Sequence, residues 1–133
     1  MGPLSKSRPV VVHPDQQIPG PTIPGMEIRH RLDLDGRWVG WTGWITNEAG
    51  DVSGWHHHAA NDTYVYVIRG SVRIEFGPDG ADRIDARAGD FFFVPSQTIH
   101  RETTGSDSDL DAFVVRVGSV PEYVGADGPE SPR

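Results

Sequence analysis

Between residues 27 and 117 short runs of hydrophobic residues, the first of them alternating with polar ones, read as strand after strand. Residues 27–34 set Ile28, His30, Leu32 and Leu34 against Glu27, Arg29, Arg31 and Asp33. Residues 37–46 carry Trp38, Trp41 and Trp44 with Val39 and Ile45. Residues 63–69 and 72–76 flank Gly70-Ser71, whose spacing predicts a tight hairpin. Gly77-Pro78-Asp79-Gly80 marks the next turn, and residues 83–87, 91–95, 98–104 and 111–117 complete the strands. Turn signals recur roughly every eight to twelve residues, and no stretch keeps a helical period over three turns. The prediction is an all-β, antiparallel barrel built from two sheets.

The ends read differently. Residues 1–25 contain Pro3, Pro9, Pro14, Pro19, Pro21 and Pro24, which deny a helix and predict an extended arm; Val10-Val11-Val12 could add an edge strand. Residues 121–133, rich in Gly, Pro and acid, are expected to be a flexible acidic tail. Residues 26–120 are then the domain proper. A chain of 133 residues supports one such core.

Charge and composition narrow the partners. A net charge of −7 repels phosphate backbones, so no nucleic acid is expected, and no apolar run is long enough for a membrane span. No signal or transit peptide is legible, and Lys6 stands where a myristoylation site wants Ser or Thr, so a cytoplasmic location is expected. Without cysteine there is no thiolate nucleophile or iron–sulfur ligation, and a bound metal must be held by histidine and oxygen.

Of the six histidines, His56, His57 and His58 are consecutive. On a strand, alternation puts His56 and His58 on one face and turns His57 away. Two imidazoles so placed can converge on one ion at about 2.0–2.1 Å, with His100 as the third ligand. The competing reading is a polar loop without a shared role. His13 and His30 read as ordinary surface or sheet residues.

The surrounding spacing bears on that choice. Gly50, His56, His58, Thr63 and Gly70 follow the first motif of the cupin superfamily, and Gly89, Pro95, His100 and Thr104 follow the second. Over about residues 26–118 the chain resembles small single-domain cupins. That resemblance implies a double-sheet jelly-roll β-barrel holding one divalent metal ion per chain on His56, His58 and His100. The chain departs from the pattern at three places. Thr63 stands where a glutamate ligand is usual, Gln97 replaces a glycine, and Thr104 replaces an asparagine. Whether Asp62 or Thr63 adds a fourth ligand stays open, although alternation from Thr63 through Val67 turns Asp62 outward.

Three neutral imidazoles leave a divalent ion its full charge, which suits a bidentate anion such as an enolate, catecholate or carboxylate. The expected function is therefore a metal-dependent oxygenase, dioxygenase-like, on a small enolisable or aromatic anion. A non-oxidative lyase, isomerase or cyclase, or a non-catalytic metal- or ligand-binding cupin, are the alternatives. Iron is the expected ion, with Ni, Zn, Cu or Mn also compatible with histidine. Candidate catalytic residues are Tyr64, Tyr66 and Gln97, with His57, Glu102 and Asp62 further candidates for proton transfer. Gln97 is expected to hydrogen-bond a substrate oxygen or to cap its turn. Trp55 is a candidate for the cavity mouth. The other tryptophans read as core or subunit interface, Phe91-Phe92-Phe93 as a buried strand, and Arg101 as facing away from the metal. A homodimer is expected.

Overall fold

The computed structural model describes residues 9, 11, 13–16, 27–32, 40–119 and 121–132. Among the described residues, a 3-10 turn at Pro14–Gln16 is followed by ten strands. They are β1 (Glu27–Leu32), β2 (Gly40–Asn47), β3 (His56–His57), β4 (Asp62–Arg69), β5 (Ser71–Phe76), β6 (Asp82–Arg87), β7 (Phe91–Val94), β8 (His100–Thr104), β9 (Leu110–Val117) and β10 (Val124–Gly125). Two five-stranded sheets form, ordered β1-β2-β9-β4-β7 and β10-β3-β8-β5-β6, with every strand pairing antiparallel. This is the all-β, two-sheet antiparallel arrangement expected from the strand pattern, and the double-sheet jelly roll that the resemblance implied. No helix among the described residues is long and apolar enough to cross a membrane.

Alternation positions both the core and the site. Val65 and Val67 on β4 face Ala112 and Val114 on β9, Val72 and Ile74 on β5, and Ile45 on β2, in one buried apolar cluster. Along the same paired strands the inward residues change character. Val67↔Ala112 and Val65↔Val114 give way to Thr63↔Arg116, all within one register. On β8 the inward set is His100, Glu102 and Thr104, all buried. One end of the barrel is therefore hydrocarbon and the other is lined by polar and ionisable groups.

Two local expectations are corrected. Gly70-Ser71 is not a hairpin between paired strands, because β4 pairs with β7 and β9 while β5 pairs with β6 and β8. It is the corner at which the chain crosses from one sheet to the other. Gly70 has φ +86°, and a Cβ there would lie 2.5 Å from the Asp109 carbonyl oxygen, so only glycine fits. The true hairpin is at Gly77–Gly80, between β5 and β6, closed by Gly80 N–H donating to the Gly77 carbonyl at 2.9 Å.

The second correction concerns the C-terminal segment, expected as a mobile tail. It supplies β10, which pairs Val124 with His57 and Gly125 with His56. Ala126 N–H donates to the Trp55 carbonyl and Asp79 N–H to the Glu130 carbonyl, both at 2.9 Å. These are backbone contacts, which side-chain composition does not announce. Val10, Val12 and Trp38, and the side chains of His30 and Trp41, lie outside the described residues, so the arm's proposed edge strand does too.

Candidate metal centre

β3 and β8 lie antiparallel with His56 directly opposite His100, and opposed residues point to the same face. His58 follows two residues after His56 and returns to that face, while His57 turns away, its Nδ1 accepting from Ala59 N–H at 3.0 Å. The ring centroids of His56 and His100 are 4.3 Å apart, those of His56 and His58 4.9 Å, and those of His58 and His100 5.2 Å. One ligand nitrogen from each lies within 4.8 Å of the others. All three rings are buried, at 0%, 2% and 0% exposure for His56, His58 and His100.

Backbone carbonyls decide which nitrogen faces the centre. Nδ1 of His56 donates to Gly54 O at 2.7 Å, Nδ1 of His58 to Glu122 O at 2.8 Å, and Nδ1 of His100 to Thr98 O at 2.8 Å. A carbonyl accepts only, so each neutral ring carries its proton on Nδ1 and its lone pair on Nε2. The Nε2 atoms of His56 and His100 are buried and have no hydrogen-bond partner. Orphaned polar atoms of this kind cost about 1–3 kcal/mol each, and a cation shared by the lone pairs would remove that penalty. The residues present therefore fit a divalent ion.

The surroundings of His56 and His58 favour their neutral forms. Burial lowers the pKa of His56, with His100 adding to the effect. Burial pushes His58 down to about 2, reinforced by the nearby Arg116 guanidinium. Arg116 is only 2% exposed. Its Nε donates to Thr63 Oγ1 at 3.0 Å and its Nη2 stands 3.5 Å from His58 Nε2. Glu102 is buried on β8 with Oε1 3.7 Å from His100 Nε2. Burial alone would raise its pKa, but His100, His56 and Arg116 offset that and hold the carboxyl below its ordinary value. Thr63, Glu102 and Arg116 share the wall of a cavity of about 10 Å³, room for one water.

Asn61 and the C-terminal segment complete the enclosure. Asn61 Nδ2 is shared among the carbonyls of His58, Ser119 and Pro121 at 2.6–3.2 Å, which ties the histidine loop to Ser119 and Pro121. The Tyr123 ring lies 5.1 Å from that of His56. Glu122, Tyr123 and Asn61 were not singled out from the sequence; their contributions come from backbone carbonyls and a distant segment. Arg116 was legible in principle, since Leu110, Ala112, Val114 and Arg116 fall on one face of β9.

The other candidates lie elsewhere. Tyr64 and Tyr66 alternate with the inward Thr63 and Val65 and so point outside the barrel; Tyr64 packs on Phe93 at 4.9 Å and Tyr66 on Phe91 at 4.7 Å. The structure does not bring them to the histidines. Asp62 also turns outward, its Oδ1 accepting from Ser96 N–H at 2.9 Å. Gln97 is exposed at φ +63°, its N–H bound to Ala59 O at 2.9 Å, a turn position. Of the proton-transfer candidates, Glu102 faces the interior. Arg101 pairs with Glu75 at 3.0 Å and sits 4.7 Å over the half-buried Trp55 ring, away from the centre. In the Phe91–Phe93 run only Phe92 turns toward the core; Phe91 and Phe93 are exposed, so that strand is not buried on both faces.

A family model for the cupin domain matches residues 43–116. No curated relative matches the chain. Among solved structures it is similar to a conserved protein with a double-stranded β-helix domain from Klebsiella pneumoniae, at 15% identity and TM-score 0.64, covering 90% of this chain and 99% of that one. It is also similar to the oxalate decarboxylase of Lactobacillus farciminis, at 14% identity and TM-score 0.67, covering 85% and 34%. The cupin domain of Schizosaccharomyces pombe Cnp3 is similar at 11% identity and TM-score 0.60, covering 71% and 65%. The chain thus spans about a third of the decarboxylase and just under two thirds of the Cnp3 domain. At these identities the likeness is one of fold.

Proposed function

The chain belongs to the cupin family, and from that premise we propose that it is a mononuclear metal-dependent enzyme, an oxygenase acting on a small enolisable or aromatic anion. The observation that carries the reading is the convergence of three buried imidazoles whose Nδ1 atoms are pinned by carbonyls. A divalent ion held there, iron in this reading, would supply Lewis acidity and open coordination positions for a chelating anion. Each pinned ring presents its lone pair without having to reorient, and burial disfavours protonation of His56 and His58. The Arg116 guanidinium adds a second positive group beside the rings, which favours an anionic substrate. Tyr123 and Asn61 close the site from the C-terminal side and limit water.

Arg116 also favours a second reading, a non-oxidative lyase, isomerase or cyclase. A buried guanidinium stabilises developing enolate charge by electrostatics, without dioxygen. Fe(II)-loaded protein given acetylacetone or catechol in an oxygen electrode separates the readings. Oxygen uptake that depends on the probe is expected. Consumption of the probe under argon would replace the oxygenase with the second reading, and binding without consumption in either atmosphere would make the chain a non-catalytic binder.

We also propose a homodimer. Register places Trp44, Phe113, Tyr66 and Phe91 in one row across β2, β9, β4 and β7, on the outward face. Trp44, Phe113 and Phe91 are 41%, 44% and 79% exposed, an aromatic patch that a second copy would cover. Sedimentation should give a dimer for the native chain and a folded monomer for the double variant Phe91→Glu, Phe113→Glu. A native monomer at micromolar concentration would contradict the proposal.

A further inference from the structure

We propose that Glu102 is a fourth, anionic ligand of the same ion, an inference that rests on the three-imidazole reading above. His100 and Glu102 stand two apart on β8, and alternation sends both side chains into the barrel, where both are buried. The carboxylate oxygen lies 3.7 Å from His100 Nε2, and that nitrogen has no hydrogen-bond partner. The backbone of Glu102 is held on both sides by Ser53. Glu102 N–H donates to Ser53 Oγ, and Ser53 N–H donates to Glu102 O, both at 2.8 Å. The strand therefore fixes the backbone from which this carboxylate reaches His100.

Charge gives an independent reason. A divalent ion on three neutral, buried rings is charge taken out of water, and the buried Arg116 guanidinium 3.5 Å from His58 Nε2 adds further positive charge beside it. Removing charge from water requires compensation, and Glu102 is the buried carboxylate beside the cluster. The alternatives on β4 are engaged elsewhere. Thr63 Oγ1 accepts from Arg116 Nε, and Asp62 Oδ1 accepts from Ser96 N–H on the outer side.

The test uses Co2+ as probe on the full chain, reading affinity by chelator competition and the visible ligand-field spectrum. Glu102→Gln should weaken Co2+ binding by about tenfold or more and alter the spectrum, whereas Thr63→Val and Asp62→Asn should leave both close to native. Glu102→Asp retains the charge and should recover part of the affinity. Equal losses in the Gln and Asp variants, or native affinity and spectrum in Glu102→Gln, would overturn the assignment. Independently of any variant's folding, Zn2+ added to native protein labelled with carboxyl-13C glutamate should shift the Glu102 resonance, and an unmoved resonance would also overturn it. Failure of the underlying reading looks different: native protein would bind no Co2+, or His56→Ala would bind it as well as native.

Discussion

Alanine at His56, His58 or His100 should abolish stoichiometric metal binding, weakening Zn2+ or Co2+ affinity by about a hundredfold or more, while His57→Ala stays within about threefold of native. The contrast comes from strand parity. His56 and His58 face His100 across the β3–β8 pairing, and His57 turns its Nδ1 to the Ala59 amide instead. Each alanine removes one of three lone pairs already oriented by a carbonyl, so the donors that remain hold the ion far more weakly. Circular dichroism on the metal-free variants separates loss of ligand from loss of fold. Equal metal loss in His57→Ala would place the alternation one residue out of step.

The metal-free protein should lose stability steeply as pH falls below 6.5. In the unfolded chain an imidazole takes up its proton near pH 6.5, whereas in the fold His58 does so only near 2 and His56 below its ordinary value. Between those limits the unfolded chain binds protons that the fold refuses, so acid favours unfolding. The slope approaches about 1.4 kcal/mol per pH unit for each such ring. Glu102 acts in the same direction, because its lowered pKa contributes stability that is lost as the carboxylate is protonated. Thermal melts between pH 7.5 and about 4.5 should show Tm falling by roughly ten degrees or more, and His58→Ala should flatten the curve. Metal retention should fall over the same range, below about pH 6, since protons and the ion compete for the same lone pairs. A Tm independent of pH down to 5 would show that the rings are not buried as neutral groups.

How far the sequence could be read depended on the kind of signal. Period-two alternation needs only side-chain identity, so the strands, the shared face of His56 and His58, and the outward turn of Asp62 were all legible. The same rule, applied strictly to residues 63–67, would have put Tyr64 and Tyr66 outside the barrel, opposite Thr63 and Val65. Their candidacy rests on the capacity of a phenol for proton transfer, which strand parity overrides. Arg116 was hidden by the opposite prejudice, and Glu102 drew notice for proton transfer but not as a residue facing the centre. Both fall on inward positions, but a charged residue is normally assigned to solvent; here Arg116 reaches Thr63 on β4 and Glu102 stands beside His100 on its own strand.

The Gly70-Ser71 corner misled because a two-residue turn specifies a change of direction, not which strands pair afterwards. Pairing is settled by β9 inserting between β2 and β4, a contact distant in sequence. The C-terminal segment was misjudged for a related reason. Its role over the centre rests on the Glu122 carbonyl and the β10 backbone, which any residue type could supply.

The most direct measurement is an anomalous difference map from a crystal of the metal-loaded protein, recorded above and below the absorption edge of the bound element. A single peak about 2.0–2.3 Å from the Nε2 atoms of His56, His58 and His100 is the predicted result. A metal peak elsewhere, or none between those three rings in protein shown to be loaded, would contradict it.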